Sequence, residues 1–304
     1  MNSQPLLKHP RSEQFKILRL LLICMLSWSS SFTLTSVALR GFSPMCVSLL
    51  RYTVASVILI IYAIVTKMKL PPLRDLPSFI LLGFLSFAGC NSLMNLGQKT
   101  VTAGTTGVLN ALIPVFVTIM GSFLLKERIG LPGWIGVVIS FVGVTIASNK
   151  RGFAAFEWAE GVVWILLSLV LAAAGVIWQK HLLRKYSTFQ VMAGGLWCAS
   201  LMLMVTAGPT MVKEFHSAPP SSLLAVLLLG IFPSFAAYTS WGKVLQMIPA
   251  NEAEAFLNFD TVISFVIAWL VIGEVPGLNV LLGFVLITIG VTMLNRDGKK
   301  RKTA

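Results

Sequence analysis

Residues 103–127, AGTTGVLNALIPVFVTIMGSFLLKE, lie over residues 250–274, ANEAEAFLNFDTVISFVIAWLVIGE, when the chain is shifted by 147 positions. Ala103 and Gly104 fall on Ala250 and Asn251, and Glu127 falls on Glu274. The same shift carries Gly130 onto Gly277, Gly136 onto Gly283, Gly143 onto Gly290 and Thr145 onto Thr292. Each copy is an apolar run closed by a Glu, a short Gly/Pro turn, and a second apolar run with two glycines seven residues apart. Duplication of an apolar unit points to a transporter, because two matched halves can rock about a site between them.

The surrounding chain has the same character. It has 304 residues, a mean hydropathy of +0.83, 56% hydrophobic and 12% charged residues. A soluble domain carries charge on about a quarter of its residues. Here lipid must supply the exterior. The apolar runs between charges are the length of spanning helices, about 17–25 residues. Ten spans are expected: 17–39, 44–66, 77–97, 104–125, 131–148, 161–182, 189–211, 221–242, 252–273 and 277–295.

The net charge of +13 is distributed by side. With the N-terminus in the cytoplasm, 18 Lys and Arg fall on the cytoplasmic side and 5 on the other, with Arg51 inside a span. The five are Arg40, Lys99, Lys150, Arg151 and Lys213. The positive-inside rule then predicts both termini in the cytoplasm of a cell with an inner membrane. The basic tail Lys299-Lys300-Arg301-Lys302 reads as an orientation signal near anionic lipid. No nucleic-acid partner is expected, since no folded basic module accompanies it. Cys24, Cys46, Cys90 and Cys198 sit in apolar runs without metal-ligand spacing and read as packing residues. The first apolar run is too long for a cleaved leader and is expected to stay as the first span.

The loops are short, so the chain reads as one membrane domain in two halves. A cytoplasmic tail, 1–16, precedes a five-span repeat, 17–148. A linker leads to a second repeat, 161–295, and a basic tail, 296–304. Five is odd, so the second copy enters the membrane from the opposite side. The expected fold is all-α and integral to the membrane, with ten transmembrane helices in two inverted five-helix repeats. Glu127 is then expected at the cytoplasmic side and Glu274 at the far side.

The segment Leu124 to Arg128 followed by Gly136 and Gly143 resembles the end of an EamA-type repeat, as does Ile272-Gly273-Glu274 followed by Gly283 and Gly290. Trp28-Ser29-Ser30-Ser31-Phe32 resembles the family's Trp-Gly-Ser-rich first helix, and Arg51 its second-helix arginine. The chain thus resembles a ten-helix member of the drug/metabolite transporter superfamily over nearly all of residues 17–295. It departs from the family at two places. Thr261, preceded by Asp260, stands where the fourth span has Pro114, and Ala172-Ala173-Ala174 replaces the family's Trp-containing start of the sixth span, with Trp178 a turn and a half later. The resemblance implies a small metabolite as substrate, such as an amino acid, moved outward through a central cavity.

Several residues stand out as candidates for that cavity. Asp260 falls near the middle of the ninth span, where an ionised carboxylate costs roughly 2.5–3.5 kcal/mol. It is expected either to carry protons in a wet cavity or to tie helices together. Arg51 lies about 10 Å into the second span at 1.5 Å per residue. It is either an anchor for a substrate carboxylate or phosphate, or a counter-ion with its head snorkelling outward. Trp28, Ser31, Asn91, Asn95, Asn110, Trp178, Tyr238, Trp241 and Asn258 are the polar and aromatic groups expected to bind substrate or to bond between helices. Asn91 and Asn95 share one helix face. Glu127 and Glu274 are expected to serve the repeat architecture by bonding turn amides or neighbouring helices, with a proton relay as the alternative. Glu252 and Glu254 suit the start of the ninth helix, with a role at the cytoplasmic gate as the alternative. Gly136, Gly143, Gly283 and Gly290 form small-residue stripes for close packing, within the protomer or in a homodimer.

No enzyme, cofactor or metal signature is present. His9, His181 and His216 fit no metal motif, and there is no Walker A sequence and no Gly-x-Ser-x-Gly elbow. The expected activity is secondary transport by alternating access, with a small-molecule substrate and the lipid bilayer as partners. A multidrug exporter for lipophilic cations, a facilitative carrier and a lipid flippase are the alternatives.

Overall fold

The computed structural model describes residues 6, 9–124, 129–149, 160–248, 256 and 259–303. These residues form helices α1 (Arg11–Ala38), α2 (Pro44–Val65), α3 (Leu73–Gly97), α4 (Ala103–Asn110 and Ile113–Leu124) and α5 (Leu131–Ala147). After the linker come α6 (Gly161–Leu182), α7 (Thr188–Ser217), α8 (Pro220–Met247), α9 (Asp260–Ile272) and α10 (Leu278–Thr303). No strand occurs among the described residues. Seven helices, α1–α4 and α6–α8, are long and apolar enough to cross a membrane, whereas α5, α9 and the apolar part of α10, Leu278–Leu294, are shorter.

Local chemistry explains several boundaries. Prolines open α2, α5 and α8 within their first turn, where a missing N–H leaves nothing unsatisfied. Ser187 and Gln190 form a capping box at the start of α7. Gly273 ends α9 with φ +70°, a left-handed cap that favours glycine. α7 runs past the expected end at 211, through an internal Pro209, to Ser217.

The solvent pattern is that of a molecule designed for lipid. Val205 is 81% exposed and Leu270 69%, while Ser29, Thr106, Ser140, Ser168 and Ser234 are fully buried. Apolar groups face outward and hydroxyls face helix neighbours, which water would not favour and a bilayer requires.

The packing of one half mirrors that of the other. α1 lies on α8 and α9, and α6 lies on α3 and α4. α2 lies on α8, and α7 lies on α3. Across the halves, α2 pairs with α7, α4 with α9, and α5 with α10. The α5–α10 seam is a close glycine-to-glycine approach. A Cβ on Gly136 would stand 2.5 Å from the Gly290 carbonyl oxygen, and one on Gly143 would stand 2.8 Å from that of Gly283. All four glycines of the stripes are therefore used inside the protomer.

Candidate functional site

Among the described residues two kinds of discontinuity occur: a π-helical turn in each half, and a break in α4 whose equivalent position in the second half is the start of α9. α3 contains a π-helical turn at Gly83–Ala88, and α8 contains one at Phe232–Ala236. Glycines lie at the approach to both turns. A Cβ on Gly83 would meet the Gly195 carbonyl oxygen of α7 at 2.8 Å. One on Gly230 would meet the Arg51 carbonyl oxygen of α2 at 2.8 Å. Such turns leave a carbonyl without its helical partner and recur at functional sites.

The second discontinuity breaks α4 at Ala111–Leu112. There the N–H of Ala111 turns to Val108 O (3.2 Å) and that of Leu112 to Leu109 O (3.0 Å). Pro114 has no N–H for the carbonyl of Asn110, and Asn110 sits half-buried at this break. The helix restarts at Ile113. The shift of 147 places Ile113 on Asp260, and Asp260 is the first residue of α9. An unbroken span over 252–273 would put Asp260 mid-helix; instead a turn at Phe259, whose N–H bonds Phe256 O at 3.1 Å, precedes it. The carboxylate therefore stands at a helix N-terminus, where the dipole favours its charge.

Asp260 meets α1 through Ser29. The Ser29 hydroxyl lies 2.5 Å from the Asp260 Oδ1 and 3.0 Å from its backbone oxygen. Ser264, one turn on, donates to the same backbone oxygen at 2.8 Å. Trp28, beside Ser29, packs edge-on to Tyr238 at 5.4 Å and tilts against Trp241 at 5.7 Å. Tyr238 continues through Phe87 to Tyr52, so one aromatic file joins α8, α1, α3 and α2.

Arg51 lies at the end of that file. It is 5% exposed, so its head does not snorkel outward. Its Nε donates to Ser234 Oγ in the π-turn of α8 at 3.0 Å, and its Nη1 donates to Asn91 Oδ1 of α3 at 3.3 Å. Asn91 in turn donates to Ser86 O within the π-turn of α3 at 3.5 Å. Among the described residues the ion pairs are His9–Glu13 and Lys185–Asp75, so Arg51 and Asp260 are paired neither with each other nor with another described charge.

Other candidates have different surroundings. Asn95 is buried, and its amide donates to Pro44 O at 3.1 Å and Ser48 Oγ at 2.9 Å, which ties α3 to α2. Trp178 donates to Ser78 O at 3.0 Å where α6 meets the start of α3. Ser31 is half-buried on α1. Glu274 accepts the N–H of Gly104 at 2.8 Å and of Ala103 at 3.1 Å, so the carboxylate of one half caps a helix of the other. Beside it lies a cleft of about 260 Å³, bordered by Thr102, Thr105, Asn149 and Asn279. Asn258, Glu127, Glu252 and Glu254 lie outside the described residues. No cluster of metal-ligating side chains occurs among the described ones. Sequence reading passed over Ser29 and Ser234; the signal for Ser234 was the Pro233 beside it, a helix breaker inside an apolar run.

The EamA-like transporter family matches the chain twice, over residues 15–149 and 159–296. The chain belongs to this family. An uncharacterized transporter of Bacillus subtilis, YdfC, is 32% identical over 263 residues, covering 86% of this chain and 85% of the relative. A probable terminal-alkyne amino-acid exporter of Streptantibioticus cattleyicolor is 30% identical over 286 residues, covering 93% and 95%. A solved crystal structure, described only as that of a protein, aligns with a TM-score of 0.62 at 17% identity over 94% of this chain and 98% of its own. That last likeness concerns the fold alone. Family and relatives together make this a membrane transporter of the EamA type.

Proposed function

We propose that the protein is a secondary transporter that exports small metabolites, such as amino acids, across the cytoplasmic membrane by alternating access. In this reading ten spans form two inverted five-helix units, residues 17–148 and 161–295, with both termini in the cytoplasm. The observation that carries it is a matched pair of helix starts: α4 restarts at Ile113 after its break, and α9 starts at the equivalent residue, Asp260. Broken helices in corresponding positions mark the binding site of transporters built from repeats, because their free ends present backbone groups to a solute. The name of the Streptantibioticus cattleyicolor relative supports an amino acid as substrate. Asp260 is the proposed proton carrier, since it is the charged group at the start of α9 and is half-buried rather than sealed.

A second reading, export of lipophilic cations, draws on the same carboxylate beside Trp28 and Trp241. Comparative profiling of cells and medium separates the two. Cells expressing wild type, Asp260→Asn or empty vector are compared at matched membrane levels. Wild type is expected to enrich one class of metabolite outside, and Asp260→Asn to lose that enrichment. Unchanged export by the variant removes the proton role. A wild type indistinguishable from vector, with resistance to cationic drugs, favours the second reading.

A further inference from the structure

We propose that Arg51 anchors a carboxylate of the transported molecule; this rests on the transporter reading and names the chemistry its site takes. A guanidinium cannot shed its charge, and leaving a buried charge uncompensated is costly. Arg51 is buried, yet no carboxylate lies within ion-pair distance of it among the described residues. Its contacts are neutral: a hydroxyl, an amide oxygen and the ring of Tyr52 at 5.3 Å. The missing negative charge is most simply that of a solute.

The donors are arranged for it. A guanidinium has five N–H groups. Ser234 takes the one on Nε and Asn91 takes one on Nη1, which fixes the plane of the group from two helices. The pair on Nη2 and the second on Nη1 remain. Nη2 takes no hydrogen bond among the described residues and is not fully sealed by protein. Two parallel N–H bonds from that end match the two oxygens of a carboxylate. One positive charge balances a carboxylate and leaves a phosphate dianion in excess. Asn91 and Ser234 are thus positioning residues, and both sit at or beside the π-turns. The aromatic file from Phe87 through Tyr238 to Trp28 offers an apolar wall next to the anchor.

The test uses purified full-length protein in proteoliposomes loaded with the common amino acids, with their amides, or with the corresponding decarboxylated amines. Efflux is followed by mass spectrometry. Wild type is expected to release a subset of the acids faster than the matching amides and amines by about tenfold or more, since a site built to pair a polar group rejects analogues that lack it. Arg51→Gln is expected to erase that ratio, and Arg51→Lys to restore part of it. Asn91→Asp places an internal carboxylate beside the guanidinium and is expected to suppress acid release while sparing amines. The ratio between acid and amide separates an anchor from a strut, because loss of folded protein lowers both fluxes alike. Equal release of acids and amides by wild type overturns the anchor and leaves the transporter reading standing. A selective acid flux that Asn91→Asp and Arg51→Gln reduce no more than the amide flux also overturns it. If wild type moves none of the three sets, the amino-acid reading itself falls and the anchor with it.

Discussion

Ser29 has one hydroxyl proton, and Asp260 receives it at both its carboxylate and its backbone oxygen. Removing it leaves a charged acceptor without that partner in a low-dielectric setting. Ser29→Ala is expected to destabilise by about 1–3 kcal/mol, seen as a lower thermal midpoint in detergent. An unchanged midpoint would show that water replaces the serine. Gly104 offers a second residue-scale test. A Cβ there would stand 2.9 Å from the Glu274 carboxylate and 3.0 Å from the Phe265 ring. Gly104→Ala and Glu274→Ala should each cost about 1 kcal/mol, the worth of a helix cap. The double variant should cost little more than the larger single change, because both remove one interaction; simple additivity would refute the link. Asp260 and Arg51 were legible in the sequence because a charge in an apolar run is conspicuous. Ser29 was not, since three consecutive serines look alike until helix phase selects one against a partner 231 positions away.

At the scale of the element, hydrophobic runs revealed where helices lie but not where they break. A π-turn or a missed backbone bond changes the helical ladder without changing mean hydropathy. Only Pro114 and Pro233 gave local warning. The α5–α10 seam, by contrast, followed from duplicated glycines; what the sequence left open was whether the stripe served this protomer or a partner copy. A Cβ on Gly290 would run into Gly136 O and Ser140. Gly290→Ala is expected to destabilise by about 1–3 kcal/mol through overpacking. Gly208→Ala, a helical glycine near only Met204, should instead be neutral or stabilising by up to about 1 kcal/mol. Thermal unfolding of both in detergent decides it, and equal effects would contradict the seam. Between α3 and the α6–α7 connection, Lys185 and Tyr186 donate to Asp75. The hydrogen bond to Asp75 holds the Lys185 ammonium above its ordinary value, so this tie persists at neutral pH and weakens either as pH rises past that raised value or as it falls far enough to protonate Asp75.

For the whole molecule, the distribution of Lys and Arg sets a testable direction. The four native cysteines are buried, which leaves a quiet background for single-cysteine labelling. Ser217→Cys, at the exposed end of α7, should react with a membrane-impermeant maleimide added to intact cells. Arg184→Cys, exposed between α6 and α7, should react only after the membrane is opened. The reverse pattern would invert the orientation that the positive-inside rule predicts.

The seam has a further consequence for how the chain is made. α5 is complete at Ala147, but its partner α10 begins only at Leu278, about 130 residues later. At roughly 5–20 residues per second, synthesis leaves the glycine face of α5 against lipid for on the order of ten seconds. During that interval nothing holds its backbone at the spacing it will finally adopt. Changes along this face therefore act before the protein ever meets a solute, on the fraction of newborn chains that survive to close, and should lower abundance while each surviving molecule turns over at the ordinary rate.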